Sequence, residues 1–148
     1  MDFHLSIAAR TLWQEARGEP IEGQKAVAAV LANRLRSGHW GSTLGEVCLA
    51  ESEKGTHQFS GWNWSDPNRK LAFALADTDP VLVALAGLVH DAVNGAVDPT
   101  GGAINYYATS MANPPYWAVK TPGKPEPIFC GQFGHQRFYK FGPLVPAS

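Results

Sequence analysis

The segment TLWQEARGEP, residues 11–20, runs directly into IEGQKAVAAVLANRL, residues 21–35. Its first part continues a helical spacing in which Leu5, Ala8, Ala9, Leu12 and Ala16 share one face. Gly18 supplies a stop, and Pro20 suits the first turn of a second helix, where its missing N–H costs nothing. Two helices meeting at a short polar corner organise the rest of the chain. The corner also carries more than a stop requires: Glu15, Arg17 and Glu19.

Glu15 follows Leu12 by three residues and Thr11 by four, so its carboxylate sits beside the apolar stripe. Near a helix C-terminus the macrodipole disfavours negative charge. Enclosure would add a desolvation penalty, and both effects raise a carboxyl pKa. A carboxylic acid still protonated near neutral pH is what a general acid needs. On spacing alone an exposed glutamate paired with an arginine is the favoured reading, because surface carboxylates are far commoner than catalytic ones. Glu19 and Glu22 lie around the start of the next helix, where the dipole favours them, and capping suffices to explain both.

Outward from this corner, the second helix presents Val27, Val30, Leu31 and Arg34 or Leu35 on one face and ends at Ser37-Gly38. Residues 41–65 read as irregular. Asp66-Pro67 and Asp79-Pro80 each pair an N-cap with proline at the first helical position and open two further helices. Leu82, Leu85, Ala86, Val89 and Val93 form the stripe of the later one, which Asn94-Gly95 closes. Beyond it DPTGG is a turn and AINYYA a short strand. Residues 112–127 form a proline-rich ordered loop, and IFCGQFGHQRFYKF reads as strand, turn and strand. The prediction is one α+β domain over residues 1–148, mainly helical, with four main helices and a small β region near the C-terminus.

The composition narrows the function. A net charge of −1 gives no broad basic footprint, so nucleic acid is not an expected partner. Cys48 and Cys130 make neither a disulfide framework nor a four-cysteine zinc site, and the pair reads as two reduced thiols. His39, His57 and Cys48 lack a zinc spacing, so no metal or other cofactor is expected. MDFHLSIAAR has no basic region and too short an apolar run for a signal peptide, and no window reaches the length of a membrane span. The chain is expected to be made as a soluble cytoplasmic protein without stable membrane insertion.

The aromatics give the second signal. Trp62, Trp64, Tyr106, Tyr107, Tyr116 and Trp117 lie on loops and short strands rather than on a helical stripe. Such faces suit pyranose rings, which offer C–H faces for stacking and hydroxyls for hydrogen bonds. Gln58, Ser60 and Asn105, interleaved with them, can orient a sugar; core packing explains any single one of these aromatics equally well. His135 follows Gly134 at a turn that can bring its imidazole back toward Glu15.

EARGEP followed by EGQKAVAAVLANR closely resembles the opening of the SleB/CwlJ type of cell-wall hydrolase. QFSGWN, DPTGGAINYYA and GHQRFY follow in that family's order, so the resemblance spans residues from about 11 to 140. It implies a lysozyme-like, lytic-transglycosylase-like domain that cleaves peptidoglycan between N-acetylmuramic acid and N-acetylglucosamine. It implies Glu15 as the catalytic acid, and a sugar groove lined by Gln58, Phe59, Ser60, Trp62, Asn105, Tyr106, Tyr107 and His135. With neither an export signal nor a separate wall-binding repeat, the chain looks like a phage or prophage endolysin. Such a protein is a monomer held in the cytoplasm until a holin-like partner opens the membrane. Two rival readings predict different outcomes: a peptidase or amidase using Cys130 and His135, and a non-catalytic glycan-binding module.

Overall fold

The computed structural model describes residues 1–147. Five α-helices precede a three-stranded antiparallel sheet: α1 (Phe3–Ala16), α2 (Ile21–Ser37), α3 (Leu44–Leu49), α4 (Pro67–Ala74), α5 (Pro80–Val93), β1 (Asn105–Ala108), β2 (Pro125–Phe133) and β3 (Gln136–Leu144). Single 3-10 turns occupy Ser60–Trp62 and Tyr116–Ala118. The mainly helical α+β reading holds. The segment read as irregular nonetheless contains α3, because Thr43 accepts the Glu46 N–H while Glu46 Oε1 accepts the Thr43 hydroxyl. That local exchange nucleates a six-residue helix despite the glycines around it.

Local chemistry sets the helix starts. Asp66 and Asp79 accept the first free N–H groups of α4 and α5, and Pro67 and Pro80 follow them inside the first turn. Pro20 sits one place earlier than expected, as the N-cap of α2. The end of α1 has no left-handed glycine and is reinforced by side chains. Gln24 Nε2 donates to Ala16 O at 3.2 Å, and Arg17 Nη1 donates to Trp13 O at 3.2 Å. Both add to backbone bonds already in place, since Trp13 O also accepts the Arg17 N–H at 3.2 Å and Ala16 O the Glu19 N–H at 3.0 Å.

The core lies where α1, α2 and α5 meet the sheet. Leu12, Val27, Val30, Leu31, Leu82 and Val89 are all at 0% exposure, with Phe138 of β3 closing the far side. Ala26, Ala28, Ala29 and Ala32 are buried along α2, which lets neighbouring helices approach closely. Sheet order is β1-β3-β2, with Tyr106 opposite Phe138 and Phe133 opposite Gln136. The register shifts between Phe129 and Gly131, which leaves Cys130 as the extra residue of a bulge. Gly134, at φ 61°, opens the two-residue turn between β2 and β3, as a type II′ hairpin requires. This turn swings His135 over the α1–α2 corner.

Candidate active site

Glu15 occupies the last turn of α1, with Leu12 and Ala16 buried on either side of it. Its carboxyl is pushed above the ordinary carboxylate range, chiefly by burial, with the nearby Asp66 charge adding to the rise. The Tyr106 hydroxyl and the Arg34 guanidinium oppose the rise without cancelling it. Tyr106 reaches across from β1 and donates its O–H to Glu15 Oε1. Burial pushes the Tyr106 phenol well above its usual range, and the adjacent carboxyl reinforces the shift, so the phenol keeps its proton and acts as a donor.

Arg34 forms the floor. It projects from α2 at 7% exposure, donating Nε to Ile104 O at 2.8 Å and Nη2 to Asn105 Oδ1 at 3.2 Å. The guanidinium lies 4.4 Å from the Trp40 ring centre and 5.0 Å from that of Phe59, a stacked cation with little water around it. These contacts tie the start of β1 to α2 and thereby set where Tyr106 meets Glu15. Arg34 and Trp40 were missed by the sequence reading. The available signal was an arginine at a position of the α2 stripe otherwise filled by apolar residues.

Two clefts meet at Glu15. One, of about 280 Å³, is lined by Glu15, Arg34, Trp40, Gln58, Phe59, Asn105, Tyr106, Tyr116 and Trp117. The other, of about 410 Å³, is lined by Gln14, Glu15, Arg17, Gly18, Glu19 and His135. A linear polymer laid through both would cross the carboxyl at their junction. In the second cleft Glu19 Oε2 takes the His135 backbone N–H at 3.2 Å and pairs with its Nδ1 at 2.7 Å. Glu19 is thus the anchor of the hairpin tip, a role that helix capping alone did not suggest.

The structure brings Gln58, Phe59, Asn105 and Tyr106 to the first cleft and His135 to the second. Ser60 is exposed at the start of its 3-10 turn and lines neither cleft. Trp62 is corrected: at 1% exposure it is a core side chain whose Nε1 donates to Thr11 Oγ1 at 2.9 Å. Burying an indole is favourable only where its N–H finds a partner, and the α1 hydroxyl supplies one. Tyr107 is corrected as well. Neighbouring strand residues point to opposite faces, so Tyr107 stacks on Tyr139 at 5.7 Å and meets Trp117 edge-on at 5.8 Å, away from Glu15. Both cysteines are free thiols. Cys48 is buried and pushed up to about 12, and burial also raises Cys130. The His135 ring partners Glu19 rather than a thiol, which removes the geometric basis for a Cys-His centre. Among the described residues, no group of three or more His, Cys, Asp or Glu is placed to hold a metal ion.

Comparison with known proteins bears on this architecture. A family model described as Cell Wall Hydrolase matches residues 18–139, a span that begins just after Glu15. The spore cortex-lytic enzyme of Oceanobacillus iheyensis is 36% identical over 130 residues, covering 85% of this chain and 41% of that protein. The spore cortex-lytic enzyme of Bacillus subtilis is 33% identical over 130 residues, covering 85% of this chain and 37% of that protein. The chain therefore spans about two fifths of the length of the curated relatives it matches. Among solved structures, the catalytic domain of Bacillus cereus SleB superposes with a TM-score of 0.64 at 25% identity, covering 93% of this chain and 89% of that one. The catalytic domain of the germination-specific lytic transglycosylase SleB from Bacillus anthracis gives 0.60 at 28% identity, covering 93% of each chain. On the family match and the shared fold, this chain belongs to the cell wall hydrolase family.

Proposed function

We propose that this chain cleaves the glycan strand of peptidoglycan between N-acetylmuramic acid and N-acetylglucosamine, as a lytic transglycosylase using Glu15 as its acid and then its base. The observation that carries the reading is the raised carboxyl of Glu15, held by the Tyr106 hydroxyl where two clefts join. The likeness to proteins named as spore cortex-lytic enzymes and as a lytic transglycosylase supports the same chemistry.

Protonated Glu15 donates to the glycosidic oxygen as the bond from that oxygen to the muramoyl anomeric carbon breaks. The oxygen leaves with N-acetylglucosamine, and positive charge develops on the anomeric carbon. The ionised carboxylate then removes the proton of the muramoyl 6-hydroxyl, whose oxygen bonds to the anomeric carbon and closes a 1,6-anhydro ring. Glu15 ends protonated, ready for another turnover, and neither water nor a second carboxylate is consumed. This differs from the paired-carboxylate glycosidases. The carboxylate next in sequence, Glu19, is committed to His135 by two hydrogen bonds, which favours the one-carboxyl route. Tyr106 supports both halves of the cycle, since its O–H can donate to the carboxyl in either protonation state. Gln58, Phe59 and Asn105 line the glycan cleft, and His135 lines the adjoining limb.

The test is mass spectrometry of purified peptidoglycan after digestion. Anhydromuramoyl ends are expected; reducing muramoyl ends would indicate hydrolysis, and freed stem peptides would indicate a peptidase. Glu15→Gln keeps the shape and removes the proton, so turnover should fall by about 10²–10⁴-fold in a folded protein. Near-normal lysis by that variant would overturn the assignment. The accompanying reading is a monomeric endolysin that reaches the wall after a holin-like partner opens the membrane. It is tested by comparing host lysis with and without a co-expressed holin.

A further inference from the structure

The lining of the first cleft includes an aromatic ring that, among the described residues, pairs with no other aromatic. Tyr116 is 90% exposed, yet it lines the same cavity as Glu15, Gln58 and Asn105. Its neighbour Trp117 does the anchoring, meeting Tyr107, Tyr139 and Phe141 edge-on at 5.8, 5.7 and 6.1 Å. The backbone is fixed on both sides as well. Pro115 sits at φ −62°, Ala118 N donates to Pro115 O at 2.9 Å, and Val119 N donates to Tyr116 O at 3.3 Å. The chain thus pins the backbone of the turn and holds one ring out beside the cleft, with its attachment point fixed before any ligand arrives.

We propose that Tyr116 is the stacking platform for an uncharged N-acetylglucosamine ring in the cleft beside Glu15. The subsite rests on the glycan-cleaving function argued above and adds which sugar occupies which limb. A pyranose presents C–H bonds on its face and polar groups around its rim, and the electron-rich face of a tyrosine ring meets the former. Gln58 and Asn105, in the same cleft, supply amides for the rim and the acetamido group. Asn105 already accepts from Arg34 through Oδ1, which leaves its NH₂ to donate.

The choice of the uncharged sugar follows from where the cations lie. Arg34 lines that cleft but is 7% exposed, stacked on Trp40 and Phe59 and bonded to β1 through Nε and Nη2, and its unpartnered Nη1 is itself buried, so little of its charge is presented to a lactyl carboxylate. The other limb holds the exposed guanidinium of Arg17, while His135 there is engaged by Glu19. The acid-bearing muramoyl ring, with its lactyl or peptide substituent, fits that limb, and N-acetylglucosamine takes the aromatic one.

An aromatic contact of this type corresponds to roughly a 2- to 12-fold change in affinity. It is made in the ground state and the transition state alike, so it should be felt in KM more than in kcat. The experiment titrates tri-N-acetylglucosamine into Glu15→Gln protein and into the same protein carrying Tyr116→Ala, Tyr116→Phe or Tyr116→Trp. Alanine should weaken binding within that range, while both aromatic replacements retain it. On peptide-free glycan strands, Tyr116→Ala in the active protein should raise KM by a similar factor. Its melting temperature should match the wild type, since the ring is exposed. Equal affinity for the alanine variant would overturn the platform, as would a phenylalanine variant as weak as alanine, or no binding of the trisaccharide at all. A wild-type protein that releases no anhydro sugar ends the functional proposal instead, and the titration still decides on Tyr116.

Discussion

Replacing Tyr106 by phenylalanine isolates one atom of the site. The ring packs against Phe138 with centres 5.2 Å apart and stands opposite it in the β1–β3 register, so phenylalanine preserves the strand and its packing. Only the O–H that meets Glu15 is lost. That hydrogen bond pulls the Glu15 pKa down against the larger effect of burial, so its removal raises the pKa further. Hydrogen bonds to charged groups contribute about 1.5–3 kcal/mol and neutral ones about 0.5–1.5 kcal/mol, so the ionised carboxyl loses the difference, about 1–1.5 kcal/mol, relative to the protonated one. A general acid acts while protonated, so the alkaline limb of kcat/KM against pH should move upward in the variant. At the same time kcat at the optimum should fall, because the carboxyl has lost the contact that orients it and must later act as the base. The assay is release of anhydromuropeptides across a pH series, with circular dichroism to verify folding. An alkaline limb that stays in place in a folded Tyr106→Phe protein would refute the idea that Tyr106 sets the Glu15 proton affinity.

Two more expectations concern stability. Trp62→Ala should cost about 3–5 kcal/mol, as for other buried aromatics, and lower the melting temperature by about 6–20 °C; calorimetry alongside kinetics tests this. An unchanged melting temperature with a raised KM would return Trp62 to the groove. Glu15→Gln should raise the melting temperature at neutral pH. Its folded pKa lies above the ordinary value of 4.5, so the native state binds more protons than the unfolded chain and loses stability as pH rises from that value to the folded pKa. The glutamine variant escapes this loss, and its advantage should vanish below about pH 4.5, where both states are protonated. Parallel melting curves across pH 3–8 would contradict the raised pKa.

The sequence by itself determined the features governed by neighbours within a turn or two. Asp66-Pro67 and Asp79-Pro80 start helices because an aspartate oxygen and a proline ring act on N–H groups two or three positions away. Gly134 specifies the hairpin because the turn needs positive φ at that position. The order of the EARGEP, QFSGWN, NYY and GHQRFY blocks likewise signalled the cell wall hydrolase family before any coordinates. The helix α3 falls in the segment read as irregular: the surrounding glycines hid a local signal carried by the Thr43–Glu46 pair. What sequence could not settle was the destination of side chains whose partners lie far along the chain. Tyr106 and Glu15 are 91 residues apart, and His135 and Glu19 are 116 apart. Composition makes Trp62, Tyr106, Tyr107 and Tyr116 equivalent candidates, yet one fills the core, one holds the carboxyl, one stacks on the outer face and one stands in solvent. Strand register and the seat of Arg34 beneath β1 choose among them, because burial of each ring depends on which distant surface arrives opposite it, and only the assembled fold brings those surfaces together.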